Sequence, residues 1–340
     1  MLFGRHRTLE AEASLVARAA DRKEFPRLED LNATALLSIT SERGVDFATA
    51  LLFDRFRHAS RHVEFIQRID ALRQCSLPNL RNCGVKIAIV PGALYRERPD
   101  FGGDGLLVRE VAEQAGLETD LLPLNSRGAV TANSAAIREW LARHASERLM
   151  LVSLSKGGAD LKMALAKPDA VGLLRNVVAW VNVCGPLDGS QLANWIVDSR
   201  VRRWICRFQY RLQRRDFRFV EELRRGNGTL LQAPLHLPAS MELIHLVGFP
   251  LNRHFTTSFS RFCHRILSAF GPNDGTTLLA DAIAWPGRVY PVWTADHYFR
   301  PPSMARELIT AVFGYLAPNL NTKVVSPAPP TCTQVQREFV

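Results

Sequence analysis

Between residues 85 and 184 the chain alternates short apolar runs with amphipathic stretches, and this rhythm constrains the fold more than any other feature. Val85–Val90 is apolar and rich in β-branched residues and ends at Pro91-Gly92, the signature of a buried strand. Residues 105–116 read as a helix closed by a C-terminal glycine. Further strands are expected at 120–124, Arg148–Leu154 and 177–184, with helices at 133–145 and 156–167, the second stopped by Pro168. Strands that alternate with helices in this way form βαβ units, and βαβ units build a parallel sheet.

The rhythm breaks at 190–240 and resumes with strands at 241–247 and 287–293. A final helix is expected at 303–316, with Ser303 as its N-cap and Pro318 just beyond its end. Residues 322–340 have no periodicity and read as a loose tail. Residues 1–80 read as helical and carry no evident chemistry. Their task is left open among wrapping the sheet, extending a cap and mediating assembly. His58 and His62 stand four apart, but without a third ligand they read as a polar helix face. The expected fold is α/β, with a doubly wound, mostly parallel sheet. The expected division is a helical extension at 1–80, a core at 84–189 and 241–318, a helical Arg-rich cap or lid at 190–240, and a flexible tail at 321–340.

With 340 residues, 47% of them hydrophobic, the chain can bury a core without a disulfide or metal staple. No apolar run approaches the roughly 20 residues of a membrane helix. Residues 1–30 mix six basic with six acidic residues, which argues against a secretory signal or transit peptide. The six cysteines are scattered without a C-x-x-C and read as reduced thiols of a cytoplasmic protein, with no metal site. The net charge is +10, and +7 of it falls within 200–225, where ten Arg face three acidic residues. So local a patch favours a specific anionic contact over general coating of nucleic acid.

The segment that carries chemistry is 149–158, an apolar strand running into Ser153-Leu154-Ser155-Lys156-Gly157-Gly158 and then a helix. This is the strand–turn–helix setting of a nucleophile elbow, G-x-S-x-G with Ser153 in place of the first glycine. The turn is sharp, and the chain on either side of the nucleophile passes too close for bulky residues. The helix that follows aims free N–H groups at charge developing near Ser155.

Here the chain resembles the α/β-hydrolase superfamily in its lipase- and esterase-like form, from Val85 to about Ala317. Three further segments match in order. Pro91-Gly92-Ala93-Leu94 follows the first strand, where the family supplies one oxyanion-hole donor; the resemblance pairs the backbone N–H of Ala93 with that of Lys156. Pro91 stands where a His is usual, which leaves the backbone role intact. Asn273-Asp274-Gly275 matches the turn that presents the acid, and Asp188, after the preceding strand, is the runner-up. Asp281 and Asp296 are weaker choices. Thr294-Ala295-Asp296-His297 follows the last strand, where the family places its catalytic His. The order Ser155, Asp274, His297 is the family's own.

The resemblance implies a serine hydrolase. His297 takes the Ser155 proton, the acid holds the imidazole, and an acyl-enzyme forms on a carboxylic ester of lipid-like or medium-size acyl group. No cofactor is implied. The same machinery serves an acyltransferase or thioesterase, and a non-catalytic binding protein on this fold is the other alternative. No nucleic-acid-binding motif is present. In the Arg-rich insertion, Trp204, Phe208 and Leu212 recur at i+4 spacing. The helix reads in two ways: as a lid with a basic face for an anionic head group or membrane surface, or as a solvated cap whose apolar face packs on the body. Lys156 either attracts an anionic substrate or points away. Oligomeric state is not legible.

Overall fold

The computed structural model describes residues 2–213, 216–300 and 302–321. The expected tail at 322–340 and Cys332 lie outside them. Four helices come first: α1 (Leu2–Ala20), α2 (Ala33–Arg43), α3 (Val45–His58) and α4 (Val63–Leu72). The alternating part follows as β1 (Val85–Val90), α5 (Leu106–Gln114), β2 (Glu118–Leu121), α6 (Val130–Arg143), β3 (Arg148–Leu154), α7 (Lys156–Ala164), α8 (Ala170–Leu173) and β4 (Val177–Val183). The insertion holds α9 (Gln191–Val197), α10 (Arg200–Leu212) and α11 (Arg218–Glu221). The chain closes with β5 (Glu242–Phe249), α12 (Ser258–Leu267), β6 (Arg288–Trp293) and α13 (Pro302–Asn321).

The six strands form one sheet in the order β2-β1-β3-β4-β5-β6, with every neighbouring pair parallel. Side chains alternate between its faces, and both faces are buried, so the strands read as nearly continuous apolar runs. Leu149 and Leu151 of β3 join one core with Trp180, Leu243 and Phe249. Met150, Val152 and Leu154 join a second core on the other face with Val181, Ile244 and Val292.

The N-terminal helices wrap the β6 edge of the sheet. Leu36, Leu51, Leu52 and Phe56 enter the first core, whereas Phe65, Ile66 and Ile69 of α4 enter the second, across the sheet. Phe53 meets Trp293 at 4.7 Å and Phe56 meets Phe249 at 5.7 Å between ring centres. An edge strand exposes unpaired N–H groups, and here one of them is satisfied by a side chain. His62 Nδ1 accepts the Val289 N–H at 3.3 Å. Burial pushes this imidazole down to about 3, so it is neutral and free to accept. α3 ends before His62, so His58 and His62 share no helix face.

Most element boundaries differ from expectation by a few residues, and at two of them a proline is involved. β2 ends at Leu121: the Leu122 N–H still donates to Ile89 O of β1, but Pro123 has no N–H with which to continue the ladder. α13 continues through Pro318. Leu316 and Leu320 are both buried, and Arg148 donates to the carbonyls of Leu320 and Asn319, so packing and capping offset the missing proline donor.

Candidate active site

Ser155 lies between β3 and α7 with φ 48° and ψ −125°, a conformation that costs a non-glycine residue roughly 1–3 kcal/mol. Tight packing holds it there. Its N–H donates to Val183 O at 2.9 Å and its carbonyl accepts from Gly158 N at 2.9 Å. A Cβ on Gly157 would stand 2.4 Å from Val90 O, and one on Gly158 would stand 2.7 Å from Gly185 Cα. Glycine is the residue that fits at both places. Ser153 is fully buried on β3, where its hydroxyl donates to Asn182 Oδ1 at 2.9 Å and accepts from Trp180 Nε1 at 2.8 Å. It therefore does more than remain small. It links β3 to β4 beneath the turn.

Other loops converge from the same edge of the sheet. Leu94, Cys184, Thr294 and Phe299, which follow strand ends, also adopt positive φ. Among the described residues only one further non-glycine residue, Asn82, does so. Gly248 in β5 lets the loop after β6 approach, since a Cβ there would lie 2.5 Å from Ala295 O. That loop presents His297, whose Nε2 stands 2.8 Å from Ser155 Oγ. Its Nδ1 stands 2.8 Å from Asp274 Oδ2, and its N–H donates to Asp274 O at 3.0 Å.

The Asp274 carboxylate is fully enclosed and well supplied with donors. Oδ1 accepts from the N–H groups of Thr276 and Thr277 at 2.8 and 2.7 Å, and Oδ2 accepts from Thr277 Oγ1 at 2.9 Å. Burial pushes this carboxyl up, but His297 and these backbone donors together outweigh it and leave it below the usual carboxylate range. An ionised carboxylate only accepts, so His297 carries its proton on Nδ1 and turns the Nε2 lone pair toward the Ser155 hydroxyl.

Asp188 is elsewhere. It accepts from Lys162 Nζ at 3.0 Å and from Trp285 Nε1 at 2.7 Å. Asp281 pairs with Arg225, and Asp296 with Arg300. Around Ser155, the N–H groups of Gly92 and Leu94 are taken by Gly103 O and Ser126 O. Those of Ala93 and Lys156 have no acceptor among the described residues.

The Lys156 side chain is buried and lies 2.7 Å from Asp160 Oδ2, so it presents no free charge to a substrate. Burial raises the Asp160 carboxyl to about 6 even against the opposing pull of Lys156 and Asn133. Lys156→Met strands that carboxylate and is expected to cost about 3–5 kcal/mol at neutral pH. Asp160 binds its proton more tightly when folded than when unfolded (about 3.9), so stability rises as pH falls through the folded value toward the unfolded one. Thermal unfolding therefore shows a larger deficit for the variant at pH 8 than at pH 5. Equal deficits would place the cost elsewhere.

Cys184 is a neighbour that nothing in the amino-acid sequence singles out. Its Sγ lies within 4.8 Å of ligand atoms of Asp274 and His297, the one metal-type cluster among the described residues. The Asp274 and His297 atoms are already spent on each other, so a cation would have to break that bond.

Ser155 and His297 open into a cavity of about 1090 Å³ with mainly apolar walls, including Leu106, Ile205, Phe219, Phe259 and Phe262. The helices of the insertion form one side of it. The apolar face of α10 does not pack on the body: no residue of this helix is buried.

No protein-family model matches the chain, and no curated protein sequence matches it. Solved structures do. A metagenomic carboxyl esterase superposes over 70% of this chain and 77% of its own, with 24% identity and a TM-score of 0.51. A lipase of Bacillus licheniformis, in its propeptide form, superposes over 71% of this chain and 51% of its own, with 20% identity and a TM-score of 0.52. The chain has an α/β-hydrolase fold. In open α/β sheets, ligands bind outside the carboxyl ends of the strands. The α/β-hydrolase core of this protein places its serine after β3, its buried aspartate beyond β5 and its histidine after β6. No helix of the described residues is long and apolar enough to cross a membrane.

Proposed function

We propose that this protein is a serine hydrolase that cleaves a carboxylic ester with a lipid-like or medium-size acyl group. The observation that carries the reading is the unbroken hydrogen-bonded line from Ser155 Oγ through His297 to Asp274, opening into an apolar cavity. Ser155 Oγ attacks the ester carbonyl while its proton passes to His297 Nε2. The oxyanion forms beside the free N–H groups of Ala93 and Lys156. As the C–O bond of the ester breaks, the leaving alcohol takes the proton from His297. Water then enters by the same route, and acid and enzyme separate. Asp274 stays ionised and holds the imidazolium throughout. The free thiols among the described residues support a reducing, cytoplasmic setting.

At about 1090 Å³ the cavity slightly exceeds the roughly 300–1,000 Å³ of small-molecule sites. An acetyl group would leave most of it unfilled. In a series of p-nitrophenyl esters, kcat/KM is expected to rise by about tenfold or more from acetyl to octanoyl, since each buried methylene contributes up to about 0.8 kcal/mol. A series that falls steadily from acetyl upward would contradict the acyl assignment of this cavity.

A further inference from the structure

We infer that the outward faces of α10 and α12 form a docking surface for an anionic lipid bilayer, at the mouth of the cavity. On α10, Val201, Trp204, Ile205, Phe208 and Leu212 fall within an arc of about 100° at helical spacing and are all exposed. Trp204 is 67% and Leu212 70% accessible. The other side of α10 faces the body, where Tyr210 meets Phe217 at 5.6 Å between ring centres. On α12, Phe259 and Phe262 are exposed and line the same cavity as Ile205, and the Phe262 ring meets Trp195 of α9 at 6.2 Å. Seven of the eleven exposed large apolar side chains among the described residues lie on these two helices. Apolar exposure this concentrated marks an interaction surface, whereas scattered single residues would not.

Charge selects the partner. Neither helix contains an acidic residue, while α10 carries five Arg and α12 two. Arg200 and Arg211 of α10 and Arg265 of α12 are exposed and form no ion pair among the described residues. Arg200, Arg207 and Arg211 run along one border of the apolar arc. A bilayer uses both features at once. Trp, Phe and Leu side chains enter the boundary between head groups and acyl chains, and the guanidinium groups reach the phosphates. Nucleic acid would satisfy the arginines but leave Val201 and Leu212 in water. Ile205, Phe259 and Phe262 belong both to this surface and to the cavity wall. An ester held in the bilayer therefore reaches Ser155 without crossing water, a consequence that rests on the ester-hydrolase reading.

Co-sedimentation of the full chain with vesicles tests the surface without any catalytic readout. Wild type is expected to bind phosphatidylcholine vesicles containing about one third phosphatidylglycerol, and to bind pure phosphatidylcholine about tenfold less well. Trp204→Ser/Phe208→Ser/Leu212→Ser should weaken binding to the anionic vesicles by about tenfold or more. None of the three residues lines the cavity, so hydrolysis of a short soluble ester by this variant reports that it is folded. Arg200→Gln/Arg211→Gln should remove most of the preference for anionic lipid. The inference is overturned if wild type does not sediment with anionic vesicles, or if the triple variant sediments equally well. It is also overturned if sedimentation velocity shows a dimer that the triple variant disperses, because a second copy would then be the occupant. Vesicle binding by a protein that hydrolyses no ester would sink the ester reading and leave the docking surface standing. Ester hydrolysis without vesicle binding would do the reverse.

Discussion

Ser155→Ala is expected to lower kcat by about 10⁶-fold toward any ester the protein turns over, the scale reported by removal of a serine nucleophile. The alanine keeps the backbone of the turn, so the Ala93 and Lys156 N–H groups and the cavity remain. What disappears is the oxygen that, on the proposed mechanism, forms the covalent bond. The variant should fold as wild type does, because among the described residues the Ser155 side chain makes one hydrogen bond, to His297. KM for a slowly turned-over ester should change little. A loss smaller than about tenfold would mean that another group performs the attack.

Asp274→Asn carries the second largest effect, about 10⁴-fold in kcat. The substitution is nearly isosteric, yet it reverses the hydrogen bond that sets the imidazole tautomer. An amide facing Nδ1 through its NH₂ group makes that nitrogen an acceptor and moves the proton to Nε2, where it can no longer take one from Ser155. The variant also loses the charge that steadies the imidazolium. Asp188→Asn is the control. Its carboxylate serves Lys162 and Trp285, so it should cost stability while kcat stays within about threefold of wild type. If instead Asp188→Asn abolished turnover and Asp274→Asn spared it, the assignment of the acid would be reversed. Steady-state kinetics on the two variants, with thermal unfolding as the check on folding, separates these outcomes.

These assignments differ in how far the amino-acid sequence alone supports them. Ser155 is legible because its constraint is local: a strand, a tight turn of small residues and a helix are contiguous. His297 is legible from its place after the last strand. The choice between Asp274 and Asp188 is not local. Both follow a strand and both sit beside glycine, and only the path of the chain after β5, through α12, carries Asp274 to His297. The hydroxyl-rich Asn273-Asp274-Gly275-Thr276-Thr277 run held one unused signal, since an Asp followed by such residues readily folds into a turn whose backbone N–H groups bond its carboxylate.

Other features depend on contacts that no short stretch encodes. Helical periodicity in α3 and α4 announces apolar faces, but the two helices bury them on opposite sides of the sheet, joined by the segment that brings His62 to Val289. Amphipathicity in α10 likewise specifies an apolar stripe and is silent about what covers it; in the structure that stripe faces outward. Lys156 could not be read because its partner Asp160 is an i+4 neighbour whose burial is set by the packing of α6 and α7. Cys184 gains its place under Asp274 from a positive φ that only the folded sheet imposes.

The most direct test of the central claim is covalent labelling with a fluorophosphonate, read by intact mass and by peptide mapping. The account predicts one adduct per chain on Ser155, none in Ser155→Ala, and slow labelling in Asp274→Asn. A folded wild type that stays unlabelled, with and without detergent micelles, or one that carries the adduct on another residue, would contradict it.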